Sequence, residues 1–92
     1  MIRLIKLITG EEVIADIYEN ENELRLKEPV KMALTSQGIA MMPFCPFMND
    51  NEIKINSKNV LFITEVDEEV LNAYNSKFGS GIVLANKSLI ID

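Results

Sequence analysis

The sequence predicts a single, mainly β domain, in which strongly bent antiparallel strands form a small barrel that one α-helix follows. Two strand–turn–strand patterns support this fold class, the first over residues 7–17 and the second over residues 53–66. Apolar residues then recur at helical spacing from Val70 to Phe78. The chain has 92 residues, which is enough for one hydrophobic core, and a domain of this size gains further burial by oligomerising.

The first two strands are predicted on either side of Gly10. Apolar residues alternate imperfectly with basic ones before it, and a glycine supplies the positive φ that a tight turn needs. In the second strand Val13, Ala15 and Ile17 share a uniformly apolar face, whereas the opposite face is mixed. The acidic stretch 19–23 is predicted as the solvated loop that ends this strand.

A long third strand is predicted from Leu24, with Pro29 in its middle. Because proline cannot donate to a strand ladder, Pro29 marks an edge, a bulge or a bend, and a small barrel needs a strongly bent strand. After a turn at residues 35–38, the segment 39–48 is the most apolar of the chain. It is interpreted as a kinked core strand whose second side can meet a neighbouring subunit, with a ligand or peptide groove as the alternative. The side chains concerned are Met41, Met42, Phe44 and Phe47.

The second hairpin joins an alternating strand at residues 53–56 to a run of β-forming residues from Val60, across a tight turn. Asp67 then provides an N-cap, and the acidic residues after it favour the start of a helix. One apolar stripe predicts that this helix packs on the sheet or covers an open barrel end.

We therefore divide the chain into a barrel over residues 1–66, a helix over residues 67–79 that Gly79 closes, and an apolar tail over residues 80–92, all within one domain. The tail holds two short apolar runs, which need a partner. They can add to the sheet of their own chain or reach a neighbouring copy.

Composition excludes several function classes. The chain has no His and a single cysteine, Cys45, so neither a zinc site of the usual nitrogen and sulfur ligands nor a catalytic triad can form within it. The acidic cluster of Glu11, Glu12 and Asp16 lacks a calcium-loop pattern and is interpreted as a solvated turn. The formal net charge of −5 argues against broad electrostatic capture of nucleic acid, so any RNA contact must be local. We expect no enzymatic activity, cofactor, metal or small-molecule substrate.

Location is predicted from the absence of targeting features. No apolar run approaches the ~20 residues that cross a bilayer, and the first residues lack the pattern of a signal peptide. A lone cysteine fits a reducing compartment. We therefore expect a cytoplasmic protein without membrane partners.

Residues around both turns match a two-part signature. In the first part Gly10 holds the position of a turn glycine, with Val13 and Ile17 at the apolar positions after it. In the second part residues 55–63 match, although Asn56-Ser57 replaces an Arg-Gly pair. On these residues the chain resembles the Sm-like (LSm/Hfq) family, and most closely the small Sm-like proteins of cyanophages. A phage origin would place the protein in the host cytoplasm.

The resemblance implies a strongly bent five-stranded antiparallel barrel, whose fourth and fifth strands pair between neighbours and close a homo-oligomeric ring. Family members usually begin with a helix, which this chain lacks. The expected subunit-interface residues are Met41, Met42, Phe44, Phe47, Leu61 and Phe62.

The resemblance also implies an RNA pocket, whose residues differ here. Glu21 stands at the position of the pocket Asp, Arg25 at that of the pocket Asn, and Asn56, followed by Ser57, at that of the pocket Arg. The first hypothesis is single-stranded RNA binding, with an RNA-chaperone or regulatory role. Arg25 would stack on a base or bind phosphate, and Asn56 would face it across the pocket and read a base edge. The alternative is a protein interaction or assembly module that has lost RNA binding.

Overall fold

The computed structural model describes residues 1–78 as a six-stranded antiparallel sheet with one α-helix. In chain order the elements are β1 (Ile2–Leu7), β2 (Glu12–Asn20), β3 (Glu23–Thr35), β4 (Gly38–Pro43), β5 (Glu52–Asn56), a 3-10 turn (Ser57–Asn59), β6 (Val60–Thr64) and α1 (Glu68–Phe78). The predicted mainly β class and the helix after the strands are confirmed. The predicted helix end at Gly79 and the tail contacts of residues 80–92 lie outside the described residues. With 11 residues, α1 is not long enough to cross a membrane.

The strands are ordered β4–β3–β2–β1–β6, and β5 also pairs with β3. β3 accommodates two partners on one edge because it has 13 residues. Its first half pairs with β5, with Glu23 opposite Asn56, and its second half pairs with β4, with Thr35 opposite Gly38. The sheet therefore has six strands where the resemblance implies five, since the second half of β3 and β4 form a hairpin of their own.

β3 changes direction at Glu28, directly before Pro29. The φ of Glu28 is +52°, in the left-handed region that residues other than glycine rarely adopt. The register between β2 and β3 shifts beside this point. Tyr74 of α1 stabilises this change of direction, because its hydroxyl donates to the carbonyls of Lys27 at 3.1 Å and Glu28 at 2.9 Å. The irregularity predicted from Pro29 is thus found one residue earlier.

Apolar side chains lie on both faces of the sheet. The inner cluster, on the face away from the helix, consists of Ile5, Val13, Ala15, Ile17, Leu24 and Leu26. The helix-covered cluster consists of Ile14, Val30 and Tyr74, with Val70 and Phe78 of α1 packed against it. Because strand residues alternate between faces, the odd-numbered apolar residues of β2 face the inner cluster and Ile14 faces the helix. The predicted packing of the helix on the sheet is confirmed.

The structure corrects the prediction for the acidic stretch 19–23 and confirms the predicted start of the helix. The acidic stretch 19–23 is mostly strand, since β2 continues to Asn20 and β3 begins opposite it at Glu23. Charged side chains are compatible with these strands because they lie on an exposed face. The N-cap is confirmed, because the Asp67 carboxylate accepts a hydrogen bond of 3.2 Å from the Glu69 backbone N–H.

Candidate functional site

Three of the four residues predicted from the family pocket lie at one end of the sheet, around the β2–β3 turn and the 3-10 turn. Glu21 and Asn56 line one open depression of about 410 Å³. Ser57 joins the two turns, because its backbone N–H donates to the Asn22 carbonyl at 3.0 Å. Glu23 also lines this depression, and Lys54 is its one basic side chain. Its carboxylates oppose the approach of phosphate groups.

Asn56 has a structural partner in this depression. Its side-chain oxygen accepts a hydrogen bond of 2.8 Å from the Lys58 backbone N–H and so caps the 3-10 turn. In the ladder between β3 and β5, Asn56 lies opposite Glu23, whereas Arg25 lies opposite Lys54. The expectation that Arg25 and Asn56 face each other is therefore wrong. The strand register sets them two positions apart and gives each a different neighbour.

Arg25 belongs instead to a cluster that sequence reasoning missed. Its cross-strand neighbour on β2 is Tyr18, and its guanidinium carbon lies 5.4 Å from the centroid of the Tyr18 ring. The Lys27 ammonium lies 5.2 Å from the same centroid, so two cations interact with one aromatic ring. Arg25 also forms an ion pair of 3.2 Å with Glu52. We call Tyr18, Arg25, Lys27 and Lys54 the Tyr18 patch.

The Tyr18 patch has the geometry of a stacking platform. Tyr18 is 39% exposed, and Tyr18, Arg25 and Lys54 line one open depression of about 420 Å³, together with Asn20 and the carboxylates of Glu19 and Glu23. Aromatic rings beside cations bind nucleobases by stacking while the cations attract phosphates. The sequence signal that could have identified the patch is an aromatic residue on the mixed, outward face of β2.

Hydrogen bonds shift the pKa values of two groups on this face, Asp16 and Tyr18. Burial raises the pKa of Asp16, but hydrogen bonds from the Met1 ammonium at 2.6 Å and the Tyr18 hydroxyl at 2.9 Å outweigh it, so the pKa lies below its usual value. The same hydrogen bond to Asp16 raises the pKa of Tyr18. At neutral pH Asp16 is thus ionised and Tyr18 is a neutral phenol, which keeps the ring suited to stacking.

The predicted interface residues fall into two groups. Leu61 and Phe62 on β6 are exposed, as are Met42 and Phe47, with Phe47 99% accessible. In contrast, Phe44 packs against the inner cluster and Met41 against the helix-covered cluster of its own chain. Four of the six side chains are therefore exposed on the part of the chain that the structure describes.

Three strand edges remain open within residues 1–78, those of β4, β5 and β6. β6 pairs with β1, whereas β4 and β5 each pair with β3. None of the three strands has a second pairing partner among the described residues. Each of these edges therefore offers backbone N–H and C=O groups to another strand.

An apolar groove lies between the end of α1, the end of β4 and the loop 44–51, with a volume of about 300 Å³. Met41 and Met42 line it, as the groove alternative predicts, whereas Phe44 and Phe47 do not. We call it the methionine groove. Its apolar walls include Met41, Met42, Pro43, Met48 and Phe78, and the thiol-bearing Cys45 also lines it.

Comparison of the sequence with protein-family models and with curated proteins gives no match. The Sm-like assignment therefore stays a prediction from the two-part signature.

Proposed function

We propose that the protein is an Sm-like module that assembles into a homo-oligomeric ring and binds single-stranded RNA on the face that carries the Tyr18 patch. The open edges of β5 and β6 carry the assembly part of the proposal. β6 is apolar, and Leu61 is 63% exposed and Phe62 48% exposed in the isolated chain. An exposed apolar edge strand is a template for pairing with another chain. Pairing β6 of one copy with β5 of the next forms a head-to-tail interface that repeats around a ring.

Placing a charge on β6 tests the assembly. The wild-type chain is expected to have a solution mass of several chains, and Leu61→Lys is expected to weaken association by about tenfold or more, because an unpaired ammonium would enter every interface. Analytical ultracentrifugation at micromolar concentration measures the solution mass of the wild type and of Leu61→Lys.

Ile8→Lys is the matched control, because Ile8 is a similarly exposed aliphatic residue on the β1–β2 turn, outside β5 and β6. It is expected to keep the wild-type mass. A monomeric wild type, or equal masses for Leu61→Lys and wild type, would contradict the proposed interface.

The Tyr18 patch carries the RNA part of the proposal. Its ring and three cations combine base stacking with phosphate attraction on one face of the sheet. The depression around Glu21 has two carboxylates and one cation, and Asn56 is engaged as a cap. The depression beside Tyr18 has two carboxylates and two cations together with an aromatic ring, so the RNA contact is assigned to Tyr18 and Arg25. A ring repeats this patch in every copy, and weak sites then gain strength by avidity.

Removing the Tyr18 ring tests RNA binding. Fluorescence anisotropy with short U-rich and A-rich RNAs is expected to show binding that Tyr18→Ala weakens by about 5- to 150-fold, which corresponds to 1–3 kcal/mol per stacked base. Tyr18→Phe is expected to keep most of the affinity, because the ring remains. Arg25→Ala is expected to weaken binding and to reduce its dependence on salt.

Glu21→Ala is the control for the family pocket position. This substitution removes a carboxylate and is expected to leave the affinity for RNA unchanged or to raise it. If wild type and Tyr18→Ala bind equally, or if neither binds, the RNA assignment is wrong.

A protein assembly module is the second candidate, and one observation favours it. Phe47 and Leu34 are exposed large apolar side chains that lie outside β5 and β6, and such residues are typical of protein contacts. Salt discriminates between the candidates, since RNA retention falls steeply as salt rises whereas apolar docking does not.

A further inference from the structure

The methionine groove is an apolar depression that the fold of residues 1–78 leaves open. Its walls are Met41, Met42 and Pro43 from the end of β4, Met48 from the following loop, and Phe78 from the last turn of α1. Its lining also includes polar side chains, those of Glu28, Asp50, Asn51 and Lys77. Methionine side chains adapt to the shape of an apolar partner, so these walls suit a short run of aliphatic residues.

The position of Phe78 identifies the occupant. Phe78 both lines the groove and is the last described residue, so the chain continues from the groove itself. The next three residues, 79–81, read Gly-Ser-Gly and span at most about 10 Å when extended. The aliphatic residues Ile82, Val83 and Leu84 follow at once. A tether this short gives them an effective concentration in the groove of the order of millimolar or more.

Charge at the groove agrees with this occupant. Glu28 and Asp50 contribute two carboxylates to its lining and Lys77 contributes one ammonium group, so the lining carries a net negative charge. Lys87 is the only basic residue among residues 79–92, and it follows the aliphatic run by three positions. We propose that Ile82, Val83 and Leu84 pack into the methionine groove of their own chain. This inference is independent of ring formation and of RNA binding.

Cys45 is a built-in reporter of this contact. It lines the groove, it is exposed in residues 1–78, and it is the only cysteine of the chain. An aliphatic segment in the groove covers the thiol, so the rate of alkylation of Cys45 follows the fraction of molecules in which the groove is open. Mass spectrometry of the intact chain measures that rate.

The full-length wild type is compared with Leu84→Asp and Asn86→Asp. Leu84→Asp is expected to speed alkylation of Cys45 by at least about fivefold, because a carboxylate is costly to bury among methionines. Asn86→Asp adds the same charge to the same segment without removing an aliphatic side chain, and it is expected to react at the wild-type rate. Equal rates for wild type and Leu84→Asp would overturn the proposal.

Two further measurements test whether the difference in alkylation rate arises from the folded groove and from a segment of the same chain. In urea all three chains are expected to react equally, which shows that the difference arises from the folded groove. At native conditions the wild-type rate is expected to be independent of protein concentration, because the segment belongs to the same chain. A wild-type rate that rises on dilution would mean that another copy supplies the segment, and it would overturn the intramolecular contact.

Discussion

Tyr74→Ala is expected to lower the free energy of unfolding by about 3–5 kcal/mol, which is typical when a buried aromatic side chain is removed. Tyr74 is 2% exposed and is the only buried residue of α1. Its ring packs in the helix-covered cluster, with the Phe78 ring centroid 4.7 Å away. Removing it leaves a cavity and detaches the helix from the sheet. Urea unfolding followed by circular dichroism measures the change, and an effect below about 1 kcal/mol would contradict the packing of α1.

Tyr74→Phe separates the ring from the hydroxyl. The hydroxyl donates to two backbone carbonyls at the change of direction in β3, so its loss is expected to cost about 1–2 kcal/mol. Burial raises the pKa of Tyr74 well above its usual value of 10.0. The stability contributed by the protonated phenol is therefore complete below pH 10 and is lost as the pH rises from there through the folded-state pKa. Tyr74→Phe should reduce this alkaline loss.

Local patterns were enough to predict most elements of the described chain. Gly10 has φ of +104° in the first turn, and Asp67 caps the helix, because both features depend on one or two neighbouring residues. The alternation of Val13, Ala15 and Ile17 likewise predicts a buried face of β2. Such features are encoded within a few positions and do not depend on pairing with distant segments.

The Tyr18 patch was not predictable in this way, because it depends on pairing between strands. Tyr18 meets Arg25 and Lys27 only when the register of β2 with β3 is known. The expectation that Arg25 and Asn56 face each other was wrong for the same reason, since the register of β3 with β5 pairs each with another residue. Sequence patterns identify the strands more readily than the register in which they pair.

The register shift between β2 and β3 also changes which face β3 buries. Leu26 pairs with Ile17 in the inner cluster, whereas Val30 pairs with Ile14 in the helix-covered cluster, although both β3 residues have even numbers. A one-residue shift moves all following side chains to the opposite face. Even-numbered apolar residues of β3 therefore do not form one continuous buried stripe.

Two leucines of β3 test this arrangement with identical chemistry. Leu26 is 1% exposed in the inner cluster, and Leu34 is 86% exposed near the end of the β3–β4 hairpin. Leu26→Ala is expected to lower the free energy of unfolding by about 2–5 kcal/mol, because it opens a cavity that the surrounding strands cannot close. Leu34→Ala is expected to change it by no more than about 0.5 kcal/mol. Urea midpoints at equal m-values measure both.

The comparison isolates burial, since both substitutions remove the same atoms from the same strand. A Leu34→Ala cost close to that of Leu26→Ala would show that the hairpin is covered in solution and would contradict its exposure. A small cost at Leu26 would contradict the inner cluster itself. The expected difference follows from the two halves of β3: the first half lies between β2 and β5, whereas the end of the second half pairs with β4 as part of a projecting hairpin. Burial in β3 thus depends on which strands flank each half and not on hydrophobicity alone.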